Sequence, residues 1–141
     1  MTEEFTIVFE AKPEESAWGI IGRGVAQFNR DHAGDNRFQR LCYLLKNTSG
    51  EVVGGVIAEV YWEWLYIDLL WVKEEIRRQG FGQSLMLRTE EEARQLGAKN
   101  AYLDTFSFQA PEFYQKLGYK PFGELPEFPP GKKRFFMKKE L

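Results

Sequence analysis

LLWVKEEIRRQGFGQSL, residues 69 to 85, is the stretch on which the fold turns. The apolar run 65–72 ends in it, a charged segment follows, and Gly80 and Gly82 then flank Phe81. Such a run reads as a central strand covered on both faces. Beyond it Phe81, Leu85, Glu92, Ala93 and Leu96 fall on or near one helical face, and Gly97 supplies the stop. Strand, glycine turn and helix start therefore follow in order. A helix start exposes unpaired N–H groups and partial positive charge, which suit a pyrophosphate. Neither common phosphate loop is present. There is no GxxxxGK followed by Ser or Thr, and Gly80-Phe81-Gly82 runs into Gln83-Ser84-Leu85 without a third glycine. GIIGRG, 19–24, reads as a flexible or closely packed helix. Taken alone, the pattern around Gly80 would serve equally as a glycine-rich turn with no ligand.

Outward from this centre the chain reads as one domain, 1–141. FTIVFEA, 5–11, alternates as a strand. Trp18, Ile21, Val25 and Phe28 predict a helix over 14–29, weakened by three glycines, and 30–36 a polar loop. Residues 37–47 and 52–62 predict a hairpin. After the central strand and its helix come a strand over 101–106, a short helix over 110–118, and strands at 119–125 and 133–139 joined through EFPPGK. The order β-α-β-β-β-α-β-α-β-β is α/β, a mixed, mostly antiparallel sheet flanked by helices. The four tryptophans are expected in the core or as groove walls.

With 43% hydrophobic and 16% aromatic residues among 141, the chain buries a real core. A formal net charge of -2 lacks the field of a nucleic-acid binder. One cysteine, Cys42, permits no intrachain disulfide and argues against a zinc cage. The first residues lack a basic and an apolar region of the kind a signal peptide has, so a cytoplasmic location is expected.

The surroundings of the glycines are more specific than the glycines. Arg77-x-x-Gly80-x-Gly82, after a strand ending Leu70-Trp71-Val72, closely resembles the coenzyme A signature of the GNAT family, the GCN5-related N-acetyltransferases. PEFYQKLGYKP, 111–121, resembles that family's later FYxKxGF motif. The resemblance covers nearly the whole chain, and the element order agrees with it. It implies acetyl-CoA as co-substrate, with no metal. The backbone of Leu70, Trp71 and Val72 would pair with pantetheine where two strands splay around a bulge. Arg77 and the amides of Arg78, Gln79, Gly80, Phe81, Gly82 and Gln83 would hold the pyrophosphate. Ser107 stands where many relatives carry asparagine, and Gln109 is a substitute contact to the cofactor. Gly118-Tyr119 replaces the usual Gly-Phe.

By the same resemblance Tyr114 is the general acid for the leaving thiolate. Reference pKa values near 10 and 8.5 make that transfer uphill by about 1.5 units, or ~2 kcal/mol, before burial acts. Its bland role is packing against the sheet. The acceptor amine must lose a proton, and Asp68, Asp104 and Glu59 are the candidate bases. Asp68, in an apolar strand, is expected to be buried and so to have a purpose, catalytic or structural. His32 is expected to be solvated. The expected partner is a small-molecule or peptide amine, with no nucleic acid and no membrane; a homodimer is left open. Trp62, Trp64 and Tyr66 offer an aromatic wall to a flat or cationic acceptor. A protein of the same fold that binds acyl-CoA without catalysis, or a plain interaction module, is the rival reading.

Overall fold

The computed structural model describes residues 2–141. They fall into two compact units, one ending at Asn36 and one running from Arg37 to Leu141.

In the first unit residues 2–10 carry no regular secondary structure; helices α1, Pro13–Ser16, and α2, Trp18–Ala33, follow. The strand expected over 5–11 does not form. Alternation supplies the side chains of a strand, but a strand also needs a paired backbone neighbour, which alternation does not specify. Helix α2 runs four residues past its expected end. It reaches through Asp31 and His32, whose ring stacks on Phe28 at 4.1 Å, and stops at Gly34 with φ +80. The stripe Trp18, Ile21, Val25 and Phe28 is present as predicted, and it is exposed.

The second unit is a six-stranded sheet in the order β1-β2-β3-β4-β6-β5. Its strands are β1 Gln39–Lys46, β2 Val52–Tyr61, β3 Trp64–Val72, β4 Asn100–Phe106, β5 Lys120–Pro126 and β6 Lys133–Glu140. Every neighbouring pair is antiparallel except β3 and β4. Parallel neighbours need a long crossover, which helix α3, Phe81–Gln95, provides. A short helix α4, Pro111–Lys116, links β4 to β5. The hairpin from β2 to β3 turns on Trp62 and Glu63 alone, both left-handed with φ +45 and +66. That is the twist a two-residue hairpin demands, here made without the usual Asn-Gly.

The core lies under α3. Val56, Ala58, Leu65, Ile67, Met86 and Leu103 are among its fully enclosed members, with Phe113 and Tyr114 of α4 packed against it. The other sheet face carries no helix of this unit, and Leu44, Ile57, Leu69 and Trp71 remain exposed there. Within this unit, strand β3 is therefore covered by helix on one face only, where its apolar run predicts two. Trp18, Trp62 and Trp71 are likewise exposed rather than core.

Candidate active site

β3 and β4 pair only through Trp64–Tyr66 and Asn100–Tyr102. β3 continues to Val72 and β4 to Phe106, so a gap opens between them. The cause lies in β3. Ile57 of β2 faces Leu69 and Ala58 faces Ile67, so Asp68 is the extra residue of a β-bulge. A bulge bends its strand and sharpens its twist, which turns β3 away from β4. On its other side β3 stays paired to β2 through Leu70, Trp71 and Val72. The edge facing the gap has no strand beside it.

The loop after β3 is tied back to that strand. Arg77 Nε donates to the Val72 carbonyl at 2.8 Å, so this arginine latches the loop rather than only charging its rim. Arg78 and Gly80 are left-handed, with φ +66 and +86. Backbone turns of this hand gather N–H groups into anion-binding hollows. Gly80 is the N-cap of α3 and no side chain caps the helix. The first intrahelical acceptor is used by Ser84, which donates to the Gly80 carbonyl at 3.0 Å. The amides of Phe81, Gly82 and Gln83 thus have no helical partner upstream. Gly82 answers a different need. A Cβ there would stand 3.3 Å from the ring of Phe113, so its absence lets α4 close on the first turn of α3. Beside that turn, Phe81, Ser84 and Arg88 with residues 43–45 of β1 line a groove of about 220 Å³.

Tyr114 is half-buried on α4, edge-on to Phe113 at 5.1 Å and to Tyr119 at 6.1 Å. Burial, and then the nearby Asp104 carboxylate, push its hydroxyl up to about 12. It therefore stays protonated at any ordinary pH. Tyr119 is enclosed on the same side of the sheet, a place its sequence motif had marked only as a mild departure.

The candidate carboxylates part company. Asp104 is bound by Arg134, with Nη2 at 2.6 Å and Nε at 2.9 Å on Oδ1, and the Tyr66 hydroxyl lies 3.4 Å from Oδ2. Arg134 in turn stacks over Phe106, Phe128 and Phe136 at 5.2 to 5.5 Å. Both oxygens of Asp104 are engaged, which argues for a structural pair. Asp68 is exposed at the bulge, contrary to the burial expected of it. An apolar run predicted a covered residue, and the bulge turned it out. Glu59 is half-buried opposite Tyr66.

Ser107 and Gln109 are spent on the chain itself. Ser107 pairs with Lys133 through both backbone and hydroxyl, at 2.8 and 3.1 Å. The Gln109 side-chain oxygen accepts from the Phe106 amide at 2.9 Å and from the Thr105 hydroxyl at 3.3 Å. Both residues shape the turn between β4 and α4. Tyr66, expected as part of an aromatic wall, is joined by Tyr61 and Tyr102, which the sequence did not single out. Tyr66 stacks on Tyr102 at 4.8 Å, and Tyr102 meets Tyr61 hydroxyl to hydroxyl at 3.1 Å. Only the two-residue alternation of each strand combined with the register between strands could have shown them together. No group of three or more metal-ligating side chains occurs among the described residues, and none of their helices is long and apolar enough to cross a membrane.

Residues 4–119 match the Acetyltransferase (GNAT) family. The chain is 42% identical over 93 residues to the blasticidin-S acetyltransferase of Streptomyces morookaense, covering 65% of this chain and 68% of that one. It is 34% identical over 98 residues to an acetyltransferase of Agrobacterium fabrum, covering 70% and 72%. A crystal structure of an acetyltransferase from Bacillus cereus superposes with a TM-score of 0.88 at 34% identity, over 97% of this chain and 98% of that one.

Proposed function

The chain belongs to the GNAT family of acetyltransferases, and from that premise we propose that it moves the acetyl group of acetyl-CoA to an amine of a small cationic acceptor, by direct attack in a ternary complex. The observation that carries the reading is the gap between β3 and β4, opening beside the uncapped start of α3, with Tyr114 of α4 packed on the core. Pantetheine lies along the free edge of Leu70–Trp71–Val72, and the pyrophosphate on the amides of residues 78–83, with Arg77 holding the loop in shape. A free backbone N–H in the gap polarises the thioester carbonyl.

The amine lone pair attacks the carbonyl carbon, and the carbon–sulfur bond breaks. The thiolate takes the proton of Tyr114, the new amide loses the proton the amine brought, and solvent returns one to the tyrosine. The raised pKa keeps Tyr114 loaded but makes it a weaker acid than free tyrosine. The same burial disfavours a bare thiolate, so proton transfer accompanies bond breaking. Asp104 is held by Arg134, which leaves deprotonation of the amine to exposed Asp68 or to Glu59 through water.

For the acceptor, the name of the Streptomyces relative makes blasticidin S the first compound to try. Glu59 and Asp68, with the tyrosines at 61, 66 and 102, offer carboxylates and flat aromatic surface to a cationic heterocycle. The test follows CoA thiol release from acetyl-CoA with blasticidin S, a polyamine and a peptide N-terminus. Thiol release with blasticidin S well above the other two is expected. Binding of acetyl-CoA with no thiol release for any amine would instead favour a non-catalytic acyl-CoA-binding protein.

A further inference from the structure

Glu90 points inward from the middle of α3 with no exposed surface. A carboxylate so placed is prohibitive unless both oxygens find donors. They do. Oε2 accepts the Tyr119 hydroxyl at 2.7 Å, and Oε1 accepts Lys139 Nζ at 2.8 Å. Neither donor comes from α3. Tyr119 follows α4, and Lys139 stands on β6. The same lysine lies 5.5 Å over the Tyr119 ring, and its stem fills the space beside Gly118, 3.5 Å from where a Cβ would stand. Gly118, with φ +98, makes the turn that admits it. The end of the FYQKLGY segment is thus clamped between helix and sheet.

Tyr114 sits one step away. The Tyr119 amide donates to the Tyr114 carbonyl at 3.0 Å, and the Tyr119 ring is one of the two edge contacts that orient the Tyr114 ring. Packing alone does not call for this chemistry. Phenylalanine at 119 would fill the same apolar space, and hydrophobic residues in place of a buried ion pair are often no less stable. Hydrogen bonds add direction, which packing lacks.

We propose that Tyr119, fixed by Glu90 and Lys139, is a positioning residue that aims Tyr114 at the leaving sulfur. The proposal rests on the reading of Tyr114 as proton donor. Tyr119→Phe keeps the ring and frees it to tilt, and Tyr114 tilts with it. The pyrophosphate site is held by other residues and is not disturbed.

A double-mutant cycle on the full chain tests this. CoA thiol release from acetyl-CoA is followed with blasticidin S and with water alone as acceptor, since either nucleophile expels the same thiolate. Tyr114→Phe should lower kcat ~10²-fold. Tyr119→Phe should lower it by about tenfold, with the KM for acetyl-CoA within about twofold of wild type, an angular misplacement being costly for transfer and not for binding. The double variant should be no slower than Tyr114→Phe, because there is no hydroxyl left to aim. A wild-type kcat in Tyr119→Phe overturns the proposal, as does a double variant slowed by the product of the two effects, or a loss of acetyl-CoA affinity in step with kcat. If Tyr114→Phe itself turns over at the wild-type rate, it is the proton-donor reading that falls. Should Tyr119→Phe not fold, Glu90→Gln takes its place in the cycle. Its amide offers an acceptor to only one of the two donors, so the clamp on Tyr119 is loosened, and additivity with Tyr114→Phe remains the overturning result.

Discussion

Strand β6 anchors two clusters of the same make-up on opposite faces of the sheet. On the helix side, Lys139 joins Glu90 and Tyr119; on the free side, Arg134 joins Asp104 and Tyr66. Each has one carboxylate, one cation and one tyrosine. The two cations are an odd number of residues apart, so the pleat sends them to opposite faces. The first cluster is closed, with Glu90 wholly covered and its bonds at 2.7 and 2.8 Å. The second is half-open, with 17% of the Asp104 side chain and 28% of Arg134 exposed, and its tyrosine contact stretches to 3.4 Å. Identical chemistry therefore does different work according to burial. In the closed cluster the Glu90 carboxylate has no water to replace a lost partner, and so the cluster fixes geometry. The open one sits at the mouth of the gap, just beyond the last paired residues of β3 and β4, where water or an acceptor can compete for it.

This contrast is sharpest in stability. Glu90→Ala removes the shared acceptor of a half-buried lysine and a buried tyrosine and should destabilise the fold by ~3–5 kcal/mol in urea unfolding. Next in size is the alkaline limb. Tyr66 and Tyr119 are both raised, in each case first by burial and then by the neighbouring carboxylate, and Tyr114 is raised to about 12. In the unfolded chain these hydroxyls ionise near 10. Stability is therefore intact below pH 10 and falls above it, because the unfolded chain gives up protons that the folded one keeps. For Tyr114 alone the loss between pH 10 and about 12 is on the order of 2 kcal/mol, and Tyr114→Phe should flatten the curve by that amount. Asp104→Ala should cost less than Glu90→Ala, ~1–2 kcal/mol, since Arg134 keeps its aromatic neighbours and reaches water. A cost equal to that of Glu90→Ala would erase the distinction drawn between the two faces. Smallest is Tyr66→Phe, ~0.5 kcal/mol or less, for one long, half-exposed hydrogen bond. A larger loss would mean that this bond helps hold β3 to β4 where their ladder stops.

The legible part of the site was the part written in local geometry. Gly80 and Gly82 marked the strand-to-helix turn because a left-handed cap and a close approach each disfavour a side chain, and both needs show in the residue itself. FYQKLGY placed Tyr114 on a short helix beside that turn, and the element order gave the sheet. The carboxylates were not legible in the same way. Asp68 looked buried because its neighbours are apolar, and a bulge that no residue announces turned it to solvent. Ser107 and Gln109 looked available to a cofactor, yet the Ser107 oxygen is bonded to Lys133 of β6 and the Gln109 oxygen closes the turn after β4.

By itself, the sequence determined the class of fold, the phosphate-loop candidate and the tyrosine beside it. Those depend on backbone conformation and on spacing within one or two elements, and a chain carries both in its local order. Tertiary structure alone decided where β3 leaves β4, which carboxylate is held and which is open, and that Tyr119 answers to Glu90 29 residues before it and, through it, to Lys139 on the far strand. Those are pairings across the sheet and between layers. Their partners are chosen by register and burial, which no stretch of sequence contains until the rest of the chain has folded around it.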